Sequence, residues 1–302
     1  MGTSNLTLDA LTAAVAGGVA AIRARSRLQP SGGPGDKVFP PTYATGDRTL
    51  KYVVEIRRIG GSDVSCVLLD SVASQANRME EALLEAWTSH ELPFPVISVD
   101  FRGLEGVSDL DQISTLHAPH RIFDALLRDA MVGEQLFRDT LLGRSVTAAS
   151  VRAATPLYVA CPTALLFGAW DSTGPLGGLG MKVQRSLVSE IVAVGAVSGK
   201  KTASRLDPAG ILAGVEVYTK ASAPTDWTTD PAEAAKEKGK PQLFSRSQQG
   251  KGQGKGRPSA INHSNVAPTI DEFAGGITFD HALQTTVLSL PALRRVRFVT
   301  DT

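Results

Sequence analysis

The chain has 302 residues, 31 basic against 30 acidic, with 42% hydrophobic and only 6% aromatic residues. That length suits one elaborated domain or two small ones, and the composition excludes a disordered chain. The apolar stretch Ala13–Ile22 holds two glycines and is too short to cross a bilayer, while Asp9 and the lack of a basic leader speak against a secretory signal.

Taken in chain order, residues 8–28 read as an N-terminal helix. Leu8, Leu11, Val15, Val19 and Ile22 fall at three- and four-residue steps, and Arg23, Arg25 and Arg27 crowd the end where cations suit the helix dipole. SGGPGDKVFPPTY ends it. KYVVEIRRI (51–59) and VSCVLL (64–69), separated by Gly60-Gly61, predict a β-hairpin. SVASQANRMEEALLEAW (71–87) carries Val72, Ala76, Met79, Leu83 and Trp87 on one stripe behind a capping Ser71, which predicts a helix. PVISVDF (95–101) reads as a short strand, Pro119 opens another helix, and LYVACPTALLF (157–167) is an apolar run broken at Pro162. The Gly-rich GAWDSTGPLGGLG (168–180) precedes a buried strand, SLVSEIVAVGAV (186–197). Residues 198–276 read as loop apart from a strand at VEVYT (215–219), residues 279–296 as helix, and residues 295–300 as a closing strand.

The sum is an α+β fold in βαββαβ order, the split-βαβ, ferredoxin-like pattern that RNA-recognition domains share. It forms a single domain over 1–302 with inserted segments at about 102–184 and 198–276.

Charge is unevenly spread. Residues 1–150 carry −4 and residues 151–302 carry +5. The excess concentrates between Lys236 and Arg257, where SQQGKGQGKGRP alternates Gly with cations that include Lys251 and Lys255. Such a tract has nothing to pack; it suits a phosphate backbone, an acidic partner or a solvated linker. Cys66 and Cys161 have no metal-ligand spacing, which fits a reduced cytoplasmic protein with two small buried side chains.

No nucleophile–base–orienter set emerges. The Gly-rich loop is no Walker motif, because Met181 and Lys182 follow Gly180 where Lys-Ser/Thr is required. DSTG (171–174) has one residue too many for an aspartic-protease triplet and occurs once. The loop is either a backbone cradle for a phosphodiester or a structural turn. His117 and His120 flank Pro119, so a regular helix presenting both to a metal is not expected. His120-Arg121 suits a phosphate or a cap. The polar turn Ser74, Gln75, Asn77, Arg78 is a contact set or a solvated face. RPSAINHSNVAPT (257–269) places Arg257, Asn262, His263 and Asn265 in a Pro-bounded loop, a binding loop or a connector.

Several blocks carry a family resemblance. LLDSVASQANRMEEALLEA (68–86), APHRIFDALLRD (118–129), CPTALLFGAWDSTGP (161–175), RSLVSEIVAV (185–194), SRLDPAGI (204–211) and RPSAINHSNVAPT with GGITFDHALQTTVLSLPALRRVRF (257–298) resemble the crRNA-binding backbone subunit of a type I-G (formerly I-U) CRISPR Cascade complex, a member of the RAMP superfamily. The resemblance implies a modified RRM palm with inserted thumb and finger elements. It implies copies stacked as a helical filament on one guide crRNA, each thumb displacing a base and the remaining bases left to pair with a target DNA strand. Implied partners are neighbouring copies, the large subunit, the guide-end-binding and processing subunit, and a helicase-nuclease recruited by the complex, with no membrane. The subunit is expected to be cytoplasmic and non-enzymatic, with no catalytic residue, metal or cofactor. The alternative within the superfamily is a metal-dependent ribonuclease acting on guide-paired target RNA, though no block matches the loop Asp that type III backbones use.

Within the blocks, residue type points to Gln75, Asn77, Arg78, His120, Arg121, Lys182, Arg185, Arg205, Asn262, His263 and Asn265 as RNA-facing. Trp170, Asp171, Ser172 and Thr173 lie in a block that touches RNA or the next subunit, and Lys251 and Lys255 belong to the cationic tract. That tract lies largely outside the matching blocks, and relatives are expected to continue past Phe298 through another short segment.

Overall fold

The computed structural model describes residues 6–44, 46, 47, 49, 51–107, 109–172, 174, 180–208, 210, 214–246, 254–263 and 265–299. The chain divides into two units, one of residues 1–46, 50–197 and 277–302, the other of residues 47–49 and 198–276.

In the first unit, the Thr7 hydroxyl accepts the Ala10 N–H and starts α1 (Leu8–Ala16). The helix stops at Gly17, and the chain extends as β1 (Ala21–Leu28). The single helix expected over 8–28 is therefore a short helix and a strand. Beyond the glycines, AIRARSRL alternates apolar or small residues with arginine, a period of two. β2 (Val54–Ile59) and β3 (Ser62–Asp70) form the expected hairpin, turned by Gly60 and Gly61 at φ of 59° and 87°. α2 (Val72–Thr88) follows under its Ser71 cap. β4 (Ser98–Asp100) is shorter than expected and pairs only with β5 (Gln112–Ser114), apart from the main sheet. A 3-10 turn at Arg121–Phe123 leads to α3 (Ala125–Arg128), α4 (Leu141–Thr147), α5 (Thr155–Ala160) and α6 (Thr163–Phe167), the last two meeting at Pro162. β6 (Ala169–Trp170) pairs with β7 (Lys182–Val183) ahead of the central strand β8 (Leu187–Val194).

The second unit is more ordered than a loop. β9 (Lys201–Arg205), β10 (Tyr218–Lys220), β11 (Ala223–Thr228) and β12 (Val266–Asp271) form two antiparallel pairs, β9 with β12 and β10 with β11. Val217, Phe244 and Ile261 make a small buried cluster of their own.

The chain returns to the first unit as β13 (His281–Ser289) and α7 (Leu290–Arg294). The helix expected over 279–296 is thus mostly a strand, and among the described residues 295–300 form no strand. β13 takes strand form because it is held from both sides, by β1 and by β8. The main sheet runs β1-β13-β8-β3-β2, antiparallel at every step. The fold is α+β. Its sheet strands come as three, then α2, then two, so the βαββαβ order is not followed: β4 pairs outside the main sheet, and residues 281–289 add a strand where a helix was expected.

α2 covers one face of this sheet. Its Gln75 Oε1 accepts from Ser189 Oγ of β8 and Gln284 Nε2 of β13, both at 2.9 Å. The largest core lies among α3–α6, where Ile122, Leu127, Phe137, Val146, Leu157 and Leu165 pack together.

Candidate nucleic-acid interface

The sheet face opposite α2 carries a row of cations. Cross-strand partners share a face. Ser26 sits beside Gln284, which meets α2, so Arg25, beside Thr285, points to the other side. Arg23 and Arg27 share that side by alternation. Successive guanidiniums therefore start about 6.8 Å apart along β1. All three side chains are exposed, with no ion pair or hydrogen bond among the described residues. Behind them Thr285, Val287, Val188 and Glu190 remain half-buried. Glu190 takes Arg57 in two bonds of 2.6 and 3.2 Å, and Glu55 shares the same guanidinium. Next to Arg27 lies His281, whose Nδ1 is buried without a partner among the described residues; burial first, then Arg27, pushes its pKa below 6.5. The expected helix puts these arginines at its end; their period-two spacing, R-x-R-x-R, is the signal for the strand instead.

A second group of expected residues gathers around Glu80, but not all of it faces outward. Arg121 is 4% exposed and its guanidinium grips both oxygens of Glu80 at 2.7 and 2.6 Å. It also donates to the Gly168 carbonyl at 3.1 Å and lies 5.5 Å from the centre of the Phe167 ring. Burial pushes the Glu80 carboxyl above its usual 4.5, with Arg121 opposing the shift. Arg121 is therefore not RNA-facing: its charge is consumed in the interior, and the same turn leaves His120 exposed. The bond to Gly168 brings this turn against β6, where Trp170 is 46% exposed under the Lys182 ammonium, 4.9 Å from the ring centre. Arg185 is exposed beside Gly168, and Ser172 is half-buried. Thr173 lies outside the described residues.

Gln75 is corrected in the same way. It is 6% exposed, and its amide donates to Asp70 at 2.7 Å while its carbonyl serves the sheet. Burial and bonds at both ends of the amide hold Gln75 in the interior. Arg78 reaches the same Asp70 oxygen at 2.8 Å with most of its side chain exposed, and Asn77 is exposed. Burial favours a higher Asp70 pKa, but hydrogen bonds from Ser74, Gln75 and Arg78 outweigh it and hold the carboxyl below 3.8.

In the second unit, residues 57 positions apart in sequence come together. The β9–β12 pairing sets the end of β9 against the 262–265 loop. Arg205 donates to the Asn262 carbonyl, the Asp207 N–H donates to Asn265 Oδ1 at 2.9 Å, and His263 Nδ1 stands 3.2 Å from Asp207 Oδ2. Asn262 turns the loop at φ 63°. Asp207, absent from the expected set, is the residue that organises it. Lys255 is exposed, and Lys251 lies outside the described residues. Among the described residues no three His, Cys, Asp or Glu side chains stand together as a metal site, and no helix is long and apolar enough to cross a membrane.

A comparison with protein families gives a match over residues 22–198, more than half of the chain, to the family described as CRISPR-associated protein GSU0053. The chain belongs to this family. Membership ties it to CRISPR defence, and the matched span contains the whole arginine row, α2 and the Glu80–Arg121 pair. No curated protein matches the sequence.

Proposed function

We propose that this family member is the guide-holding backbone subunit of a type I-G Cascade complex. It is a non-enzymatic cytoplasmic protein that stacks on copies of itself along a crRNA and leaves the guide's bases free for a target DNA strand. Large, guide-end-binding and helicase-nuclease components of the complex are its further partners. The sequence blocks supply the subtype. The single observation that carries RNA binding is the unpaired row Arg23, Arg25, Arg27 on an open sheet face. A subunit that must accept every spacer has to grip phosphate and sugar, and a regular row of cations supplies the charge for that grip.

The test is fluorescence anisotropy with labelled single-stranded RNA across a KCl series. Each single-strand phosphate neutralised adds about −0.7 to the slope of log K against log salt. Arg23→Gln, Arg25→Gln and Arg27→Gln combined should flatten that slope by about 2. An unchanged slope and affinity would remove the row from the interface. Divalent-ion-dependent cutting of guide-paired target RNA would replace the holding role with the ribonuclease one.

A further inference from the structure

The arginine row supplies charge but no flat surface, and the first unit presents one elsewhere. Trp170 is 46% exposed, whereas Ala169 and Asp171 on either side of it are 9% and 6% exposed. Alternation along the extended chain turns the indole outward while its neighbours face in. The backbone beneath the ring is fixed on both sides. Ala169 pairs with Val183 and Trp170 with Lys182. Past the ring, the Asp171 N–H donates to the Met181 carbonyl at 2.9 Å. Before it, the Gly168 carbonyl accepts from the buried Arg121. Gly168 itself, at φ 84°, permits the close approach of the two strands, because a Cβ there would stand 3.1 Å from the Val183 carbonyl oxygen.

The Lys182 ammonium lies 4.9 Å from the centre of this indole. Lys182 is exposed and makes no hydrogen bond or ion pair among the described residues. A cation over an exposed ring is weakly held, which leaves its charge for a stronger partner such as a phosphate. A tryptophan fixed in place, nearly half open and beside an unpaired cation, offers what single-stranded nucleic-acid sites combine: a π-face for a base and a charge for the phosphate next to it. Every base has a π-face, so such a contact tolerates any spacer. An apolar protein surface seated on the ring would have to desolvate the ammonium without pairing it, a cost that a polyanion avoids.

We propose that Trp170 stacks on an unpaired base of the bound RNA strand and that Lys182 meets the phosphate beside that base. The inference rests on the guide-holding reading and adds a contact of another kind, a base held by stacking where the β1 row grips phosphate. The two fail separately. Stacking neutralises no phosphate and releases no counterion, whereas each cation on a phosphate adds to the salt slope.

The experiment is titration of the full chain with single-stranded oligouridine and with inorganic polyphosphate, a polyanion without bases, read by tryptophan fluorescence and by anisotropy competition against labelled RNA. The chain has three tryptophans, Trp87, Trp170 and Trp227. Oligouridine should quench the parent. Trp170→Phe, which keeps a ring but removes this emitter, should lose that share of the quench and still bind RNA more tightly than Trp170→Ala. Trp170→Ala should weaken oligouridine by about five- to a hundredfold without changing the slope of log K against log salt. Lys182→Gln should flatten that slope by about 0.7 and leave the quench in place. Polyphosphate should bind the parent and Trp170→Ala equally. Unchanged oligouridine affinity in Trp170→Ala, or an undiminished quench in Trp170→Phe, overturns the stack, while the slope set by the row still reports on the holding role. An equal loss of polyphosphate and oligouridine in Trp170→Ala also overturns it, because a ligand without bases would then feel the ring. No RNA binding by the parent removes both readings.

Discussion

Replacing Arg121 by Ala should be among the most damaging single changes in the first unit, although on sequence grounds it looked like a surface RNA contact. Its side chain and that of Glu80 are 5% and 1% exposed, and two short charge-assisted bonds join them. Deleting the guanidinium strands a buried carboxylate, frees the Gly168 carbonyl and strips a cation from the Phe167 face. Breaking one half of a buried pair costs about 3–5 kcal/mol. The loss should depend on pH with a definite sign. Burial already raises the Glu80 carboxyl, and without Arg121 it rises further. A raised carboxyl binds its proton more readily folded than unfolded, so the deficit is fully present above the raised value and shrinks as pH falls through it. Urea unfolding at pH 7.5 and pH 5, with Glu80→Gln and the double variant completing a cycle, measures both effects. A loss under about 1 kcal/mol, or one that grows toward acid, would refute the buried-pair reasoning. Where the variant remains folded, its RNA affinity and salt slope should match the parent.

Two further outcomes follow from other polar contacts. Asp70 has its carboxyl held below 3.8, so its contribution is present above that value and is lost as pH falls through the lower folded one; Asp70→Asn should flatten the acid limb of a stability-against-pH curve measured by thermal unfolding. Arg294 donates to the carbonyls of Ala14, Val15, Gly17 and Val19 at 3.4, 3.1, 2.8 and 3.0 Å, capping the C-terminal end of α1. Arg294→Ala should cost about 1 kcal/mol locally and speed amide exchange at the end of α1 while leaving the main sheet protected.

Local signals were enough for α2, the β2–β3 hairpin and β8. A capped apolar stripe, a Gly-Gly turn and an unbroken β-rich run each specify one conformation. β13 was not legible because HALQTTVLSL (281–290) satisfies both periods: Leu283, Val287 and Leu290 suit a helix face, and only the flanking ladders of β1 and β8 decide for a strand over 281–289. The same lack of long-range information misplaced Gln75 and Arg121. A polar residue in a first helical turn looks identical whether it meets solvent or a partner, and Glu80 lies 41 positions from Arg121. The donor-rich 257–265 loop was visible as a cluster, but its partners Arg205 and Asp207 reach it only through the β9–β12 register.

The arginines sort into two populations that net charge conceals. Arg57, Arg121 and Arg294 are committed to carboxylates or carbonyls within the chain, whereas Arg23, Arg25 and Arg27 have no such partner among the described residues. On an exposed edge strand, isolated charge would be enough to discourage pairing with another sheet. A phosphate-gripping row makes a different demand, that its members act together. Neighbours about 6.8 Å apart lie inside the screening length of about 8 Å at physiological salt, whereas Arg23 and Arg27, about 14 Å apart, do not. Arg25 alone is coupled to both others. Arg25→Gln should therefore weaken RNA binding more than Arg23→Gln or Arg27→Gln, a ranking that anisotropy titrations at about 0.15 M salt can read directly. Edge protection alone predicts no effect on RNA binding from any of the three, so equal and negligible changes would return the row to that role.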